Sequence, residues 1–237
     1  MRSRLTAVLV AVTATAALAV GLVASSSAAP PTNQCKKIRG CVTVTGPWIA
    51  VPPEGEATFL LECPKRQGVI AGVDALSSSK QLSVTWDAKP GTPIRAGTTT
   101  GPWLLFRALS TDNSRQVFQP FLGCIPPPKV GARSTLSARA VVKPNNKIDL
   151  WKSFVKLQAG KTVTGSRTCG KKGEHLVGGW QAIAFDTLNQ PPNPELAAKV
   201  HVELTVGDAR VVASVKTDKG MPQSAFPEVQ VGAVCAT

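Results

Sequence analysis

Cys63-Pro64-Lys65-Arg66-Gln67-Gly68-Val69-Ile70-Ala71-Gly72-Val73-Asp74-Ala75 aligns without gaps on Cys169-Gly170-Lys171-Lys172-Gly173-Glu174-His175-Leu176-Val177-Gly178-Gly179-Trp180-Gln181. Each stretch has a cysteine, a dibasic pair two residues on, an apolar pair, and a glycine nine residues after the cysteine. Internal repetition of this kind is the first thing to settle in a sequence, because it fixes the architecture. Each copy then runs to a terminal cysteine, Cys124 or Cys235, which closes an alternating apolar run: Phe118, Pro120, Leu122, Cys124 in one and Val229, Val231, Ala233, Cys235 in the other. Side chains two apart share one face of a strand, so each terminal cysteine points with its strand's core residues.

Outward from this pair, the remaining chain reads as strands. Leu82, Val84 and Trp86 alternate, as do Val200, Val202, Leu204 and Val206, and Arg210 to Val215 is a further strand. Proline and glycine clusters punctuate these runs at Pro52-Pro53, Lys89-Pro90-Gly91, Pro191-Pro192 and Lys219-Gly220. Long stretches of helical period are missing and Val, Thr, Gly and Pro are abundant, so the fold class is all-β. The expected architecture is two tandem β-sandwich-like repeats, each closed by a disulfide. One composite sandwich built by both copies is the alternative.

The N-terminus reads as an export signal. Arg2 and Arg4 precede a charge-free Leu5 to Val23, and the small residues Ala24-Ser25-Ser26-Ser27-Ala28-Ala29 follow, with cleavage expected after Ala28. The boundaries are a signal peptide over 1–28, a first β domain over 29–125, a proline-rich linker over 126–133 containing Pro126-Pro127-Pro128, and a second β domain over 134–237. The expected location is extracellular, in association with the cell envelope. All six cysteines follow the signal, and an even count in an exported chain argues for disulfides. The duplication selects Cys63–Cys124 and Cys169–Cys235, leaving Cys35–Cys41. In the loop-entropy account each long bridge is worth roughly 4 kcal/mol and the short one roughly 2 kcal/mol.

Cys63, Pro64, Gly68 and Gly72, closed later by a strand ending Ala233-Val234-Cys235, resemble a loose group of secreted bacterial β-domains, common in actinobacterial secretomes and marked by a CPxG…GG…AxC signature. The chain departs from that pattern at Lys65-Arg66 and Lys171-Lys172, where small residues are usual, and at Gly170 in place of proline. The resemblance implies a β fold and secretion, and it carries no activity and no catalytic residues.

Catalytic patterns are weak. The chain has no Gly-x-Ser-x-Gly, no His-Glu-x-x-His and no phosphate-cradling glycine loop. Ser77-Ser78-Ser79-Lys80 matches Ser-x-x-Lys but lacks the companion motifs, and reads as a polar turn. His201 alternates outward on a strand, and His175 beside Glu174 reads as a solvated turn. Glu54 and Glu56 read as a solubilising loop rather than a glycosidase pair. With no C-x-x-C there is no zinc knuckle and no thioredoxin-type site, so neither metal nor cofactor is expected. The expectation is a non-enzyme, with an unrecognised hydrolase as the remaining enzymatic alternative.

Charge is the other signal. The chain has 27 Lys and Arg against 14 Asp and Glu. Between Lys129 and Lys172 eleven Lys and Arg face a single acid, Asp149. Such asymmetry bears on partners rather than fold. The candidate anion-binding residues are Lys36, Lys37 and Arg39 in the short cysteine loop, Lys65 and Arg66, Lys171 and Lys172, and Lys152 and Lys156. Cations on braced turns lose less entropy on binding than cations on a free tail. Of the five tryptophans, Trp86 reads as core, while Trp151, among lysines, is the candidate exposed stacking platform. The functional expectation is a secreted module binding anionic envelope polymers, with nucleic acid bound unspecifically by the same charge. The alternative is an adhesin-like or structural envelope domain that binds protein or neutral glycan.

Overall fold

The computed structural model describes residues 34–36, 38–64, 68–89, 92–93, 102–126, 148–187 and 190–236. The signal-peptide reading, Lys37, Lys65, Arg66 and all of the linker after Pro126 lie outside the described residues. Among those described, fourteen strands and two short 3-10 helices (Pro194–Lys199 and Gln223–Ala225) form an all-β fold of three antiparallel sheets.

The largest sheet has seven strands: β1 (Val42–Thr45), β2 (Trp48–Val51), β4 (Val69–Ser77), β8 (Gln116–Ile125), β9 (Ile148–Lys156), β11 (His175–Phe185) and β14 (Pro227–Ala236). β8 carries β4 on one edge and β1 followed by β2 on the other. β2 turns its second edge to β11, with Ile49 opposite Ala184, and β14 and β9 complete the order. The second sheet runs β3 (Glu56–Glu62), β7 (Trp103–Ser110), β5 (Leu82–Lys89), β6 (Thr92–Pro93), and the third β10 (Thr162–Thr168), β13 (Arg210–Thr217), β12 (Val200–Val206).

Alternation decides which sheet covers which face. All four residues of β2 are buried. Ile49 and Val51 join Phe118, Ala182 and Ala184 in a core completed by Phe59, Leu61, Leu104 and Phe106 of the second sheet. Trp48 and Ala50 point the other way, into a core with Phe185, Val229 and Val231 that the third sheet closes with Val211, Ala213 and Val215. The middle of the large sheet is therefore apolar on both faces, which is why β2 reads as a continuous apolar run and not as an alternating one. Trp86, expected in the core, is half-buried and packs tilted on Phe106, whereas Trp48 and Trp180 are buried.

The outer edge of β3 is met by a side chain. Gln230 of β14 is fully buried, and its amide acts as a one-residue strand. Its Oε1 accepts from Leu60 N at 2.8 Å and from Trp180 Nε1 at 3.1 Å, and its Nε2 donates to Leu60 O at 2.9 Å. Five residues before each terminal cysteine the chain has a buried glutamine; the other one, Gln119, donates to Gly46 O at 3.0 Å.

The disulfides join Cys35 to Cys41, Cys63 to Cys124 and Cys169 to Cys235, the pairing that the repeated cysteines select. The surroundings of the two long bridges agree strand by strand. Cys124 lies opposite Ile70 and Cys235 opposite Leu176, and a bulge follows at once in each, between Ile70 and Gly72 and between Leu176 and Gly178. The loop closed by Cys35–Cys41 packs on the Cys124 end of β8. A methyl group at Gly72 or Gly123 would run into the Gln34 carbonyl, so this close approach depends on both glycines.

Candidate anion-binding surface

The neighbourhood of the Cys169–Cys235 bridge is built by three strands. Along β10, Val163 packs on the core and Gly165 abuts Val155, so alternation aims Arg167 inward as well, near the end of the strand. Trp151 of β9 packs on the same core, opposite Ala233. The Arg167 guanidinium lies over the Trp151 ring, 5.4 Å from its centroid, a cation–π arrangement. The ring also sits tight against Gly170, where any side chain would collide with it.

Glu174 locks this arrangement. Its side chain has no exposed surface. Oε2 accepts from Trp151 Nε1 at 3.1 Å and from Lys171 N at 2.9 Å, and Oε1 lies 3.8 Å from Lys171 Nζ. Glu174 N in turn donates to Lys171 O at 3.2 Å, and Gly173 takes the left-handed conformation (φ 84°) that the tight turn requires. The Lys171-Lys172 turn is thus pinned by a buried carboxylate and a disulfide, with both lysines exposed.

Several sequence expectations are corrected here. Glu174 is no solvated turn residue: burial beside Trp151 makes it the anchor of the turn. Trp151 is half-buried, with one face under Arg167, and is not a free stacking platform. Lys152 is withdrawn from solvent, its side chain 19% exposed. Its Nζ lies 3.4 Å from Glu62 Oε2, donates to Leu60 O at 3.4 Å and sits over Phe154. Burial lowers its pKa, and Glu62 opposes that shift. Lys156 is exposed but stands opposite Glu228 in the β9–β14 register, so its charge is partly answered within the protein. The Glu228 carboxyl is pushed up by burial and by Asp186, and Lys156 pulls it down.

The sheet order separates the remaining cations. Lys36 and Arg39 are exposed in the loop at the Cys124 end of β8. β8, β2, β11 and β14 alternate in direction, so Cys124 and Cys235 lie at opposite ends of the large sheet. Phe118, Ile49, Ala184 and Glu228 share one level across it. At 3.3 Å per residue the two bridges are about 40 Å apart along the strands. The short cysteine loop and the Lys171-Lys172 turn therefore do not share a face.

Residues that suggested chemistry are dispersed. His201 Nε2 and Asp218 Oδ1 are 3.1 Å apart and exposed, and His175 is exposed at the start of β11. Cys169, Glu174 and Cys235 place ligand atoms within 4.8 Å of one another, but the two sulfurs are bonded to each other and offer no thiolate to a metal. Sequence reasoning placed Arg167 only within the basic stretch from Arg133 to Arg167, without singling it out, and read Glu174 as part of a solvated turn. The strand alternation that aims Arg167 inward was the available signal, but it is weak, because Val163 is the one large apolar residue among Thr162, Thr164, Ser166 and Thr168. Three disulfides place the chain in an oxidising, non-cytoplasmic compartment. Among the described residues no helix is long and apolar enough to cross a membrane. No protein-family model, curated protein or solved structure matches the chain.

Proposed function

We propose that the chain is an exported, non-enzymatic module that binds an anionic polymer of the cell envelope through the cationic end of the fold around Cys169–Cys235. The supporting observation is the Lys171-Lys172 turn, which the bridge and the buried Glu174 carboxylate hold in place before any ligand arrives. A pre-ordered cationic turn spends little entropy on binding, and the basic excess of the whole chain adds long-range attraction. Lys152 and Lys156 belong to the fold's internal electrostatics and take no direct part. In this reading the two cysteine-closed segments are copies of one secreted bacterial β-domain, and the second copy carries the binding end.

Binding of the protein to isolated cell envelopes at rising salt tests the reading. Release of counterions predicts a linear fall of log affinity with log salt, about one unit of slope for each neutralised anion. Binding that ignores salt, or no binding at low salt, would refute it. Free DNA in the same assay should bind with a similar salt slope and no sequence preference.

A further inference from the structure

We infer that Arg167 is the recognition residue of this surface and grips an oxyanion of the polymer, a phosphate or a carboxylate, end-on through its two terminal guanidinium nitrogens. This rests on the function proposed above and narrows it to one side chain.

The first cysteine-closed segment supplies the control. Two residues before its first cysteine stands Leu61, a buried core residue, where the second segment has Arg167. Val44, opposite Leu122 in β1, holds the place that Trp151 holds opposite Ala233. Gly68 corresponds to Glu174. An apolar leucine, valine and glycine thus fill the addresses at which the second segment places an arginine, a tryptophan and a buried carboxylate. The frame alone is satisfied by the apolar set, so the polar set is not needed to close the sandwich.

Among the described residues the arginine is also held without an ion-pair partner. Its Nε is buried and makes no hydrogen bond. Leaving a polar atom buried and unbonded is unfavourable, and stacking on Trp151 is what retains the group. Glu174 takes the Trp151 indole N–H and the Lys171 amide, and so orients the platform and not the arginine. What remains is a planar cation fixed on an aromatic face near the end of β10, with the Lys171-Lys172 turn beginning two residues after Cys169. A guanidinium in a fixed plane offers two parallel N–H donors, the geometry that matches carboxylate and phosphate oxygens, and lysine cannot reproduce it.

Equilibrium binding of the full chain to inorganic polyphosphate and to polyglutamate, read by tryptophan fluorescence at several salt concentrations, tests the assignment. Loss of a charged, paired hydrogen bond predicts that R167K weakens binding roughly tenfold. Because the charge is kept, its salt slope should stay that of the wild type. K172A should weaken binding only about threefold and lower the slope by about one. R167L restores the residue of the first segment, so it should fold with unchanged or higher Tm while losing at least as much affinity as R167K. A stronger response to polyphosphate names a phosphate polymer as the ligand source, and the reverse names a carboxylate polymer. R167K or R167L binding like the wild type would overturn the assignment and leave salt-dependent binding standing. A wild-type chain that binds neither polymer at low salt would overturn the proposed function, and this inference with it.

Discussion

At the Cys124 end of the large sheet, Gly72 and Gly123 leave room for the Gln34 backbone, and the loop closed by Cys35–Cys41 caps the strands. At the Cys235 end the matching positions are Gly178 and Val234, and Val234 packs with Leu60, Leu105 and Trp180. The backbone frame agrees at the two ends in disulfide, bulge and register. The side chains off the frame do not. One end is apolar and covered by the protein's own loop; the other has Arg167, Trp151 and the lysine turn. Hydrogen-bonded registers are all-or-none, because a slip of one residue turns every side chain to the wrong face. Residues at the end of a sandwich carry no such constraint and are free to specialise.

The comparison is broken most forcefully at the two glutamines. Q230A strips the partner from Leu60 N and from Trp180 Nε1 and leaves Leu60 O only its longer bond from Lys152 Nζ, and each buried polar group left unmade is costly, so a loss of about 3 kcal/mol is expected. Q119A removes one bond to Gly46 O and should cost about 1 kcal/mol. Equal losses in chemical denaturation would mean that the Gln230 clamp is not what ties β3 to the large sheet.

A smaller contrast is expected at the bulge glycines. G72A forces the Gln34 backbone away and should lower stability by about 1–3 kcal/mol, as overpacking does. At Gly178 a methyl group would meet only Val234, at 3.9 Å, so G178A should change Tm little. Matched Tm shifts for the two variants would contradict the asymmetric capping described here.

The smallest effect concerns Glu228, which occupies the place of the buried Val117 seven residues before the terminal cysteine. Burial and Asp186 raise its pKa above the ordinary carboxylate value. Ionised Glu228 therefore penalises the native state at neutral pH. The penalty is relieved as pH falls through the raised pKa toward the unfolded one, because the native chain takes up the proton first. E228Q should accordingly be slightly more stable than the wild type at neutral pH, with the difference vanishing below the ordinary carboxylate range. A gap in Tm that stays constant across that pH range would rule the raised pKa out as its cause.

The frame was legible in the sequence because it rests on short-range signals. Alternation at Val229, Val231, Ala233 and Cys235 marks an inward face, and two cysteine-closed segments in parallel registration leave one sensible pairing. The specialised end was not legible for the opposite reason. Whether Lys152 is a free cation depends on Glu62, a residue of another sheet, and whether Glu174 is solvated depends on Trp151, which reaches it only through the β9–β14 pairing. Net charge along the chain showed an excess of cations but not which of them the fold would keep for itself.

Strand β2 pairs with β8 on one side and with β11 on the other. A chain emerging N-terminus first can pair β2 with β8 as soon as the first half has appeared, but the second edge must wait for β11. Until then that edge and Leu60 present unmatched amides, which is the state in which a sheet invites foreign strands. Contacts this distant in sequence form slowly. The seam between the halves therefore closes late, and the interval before it closes is when the new chain is most exposed to aggregation and to proteolysis.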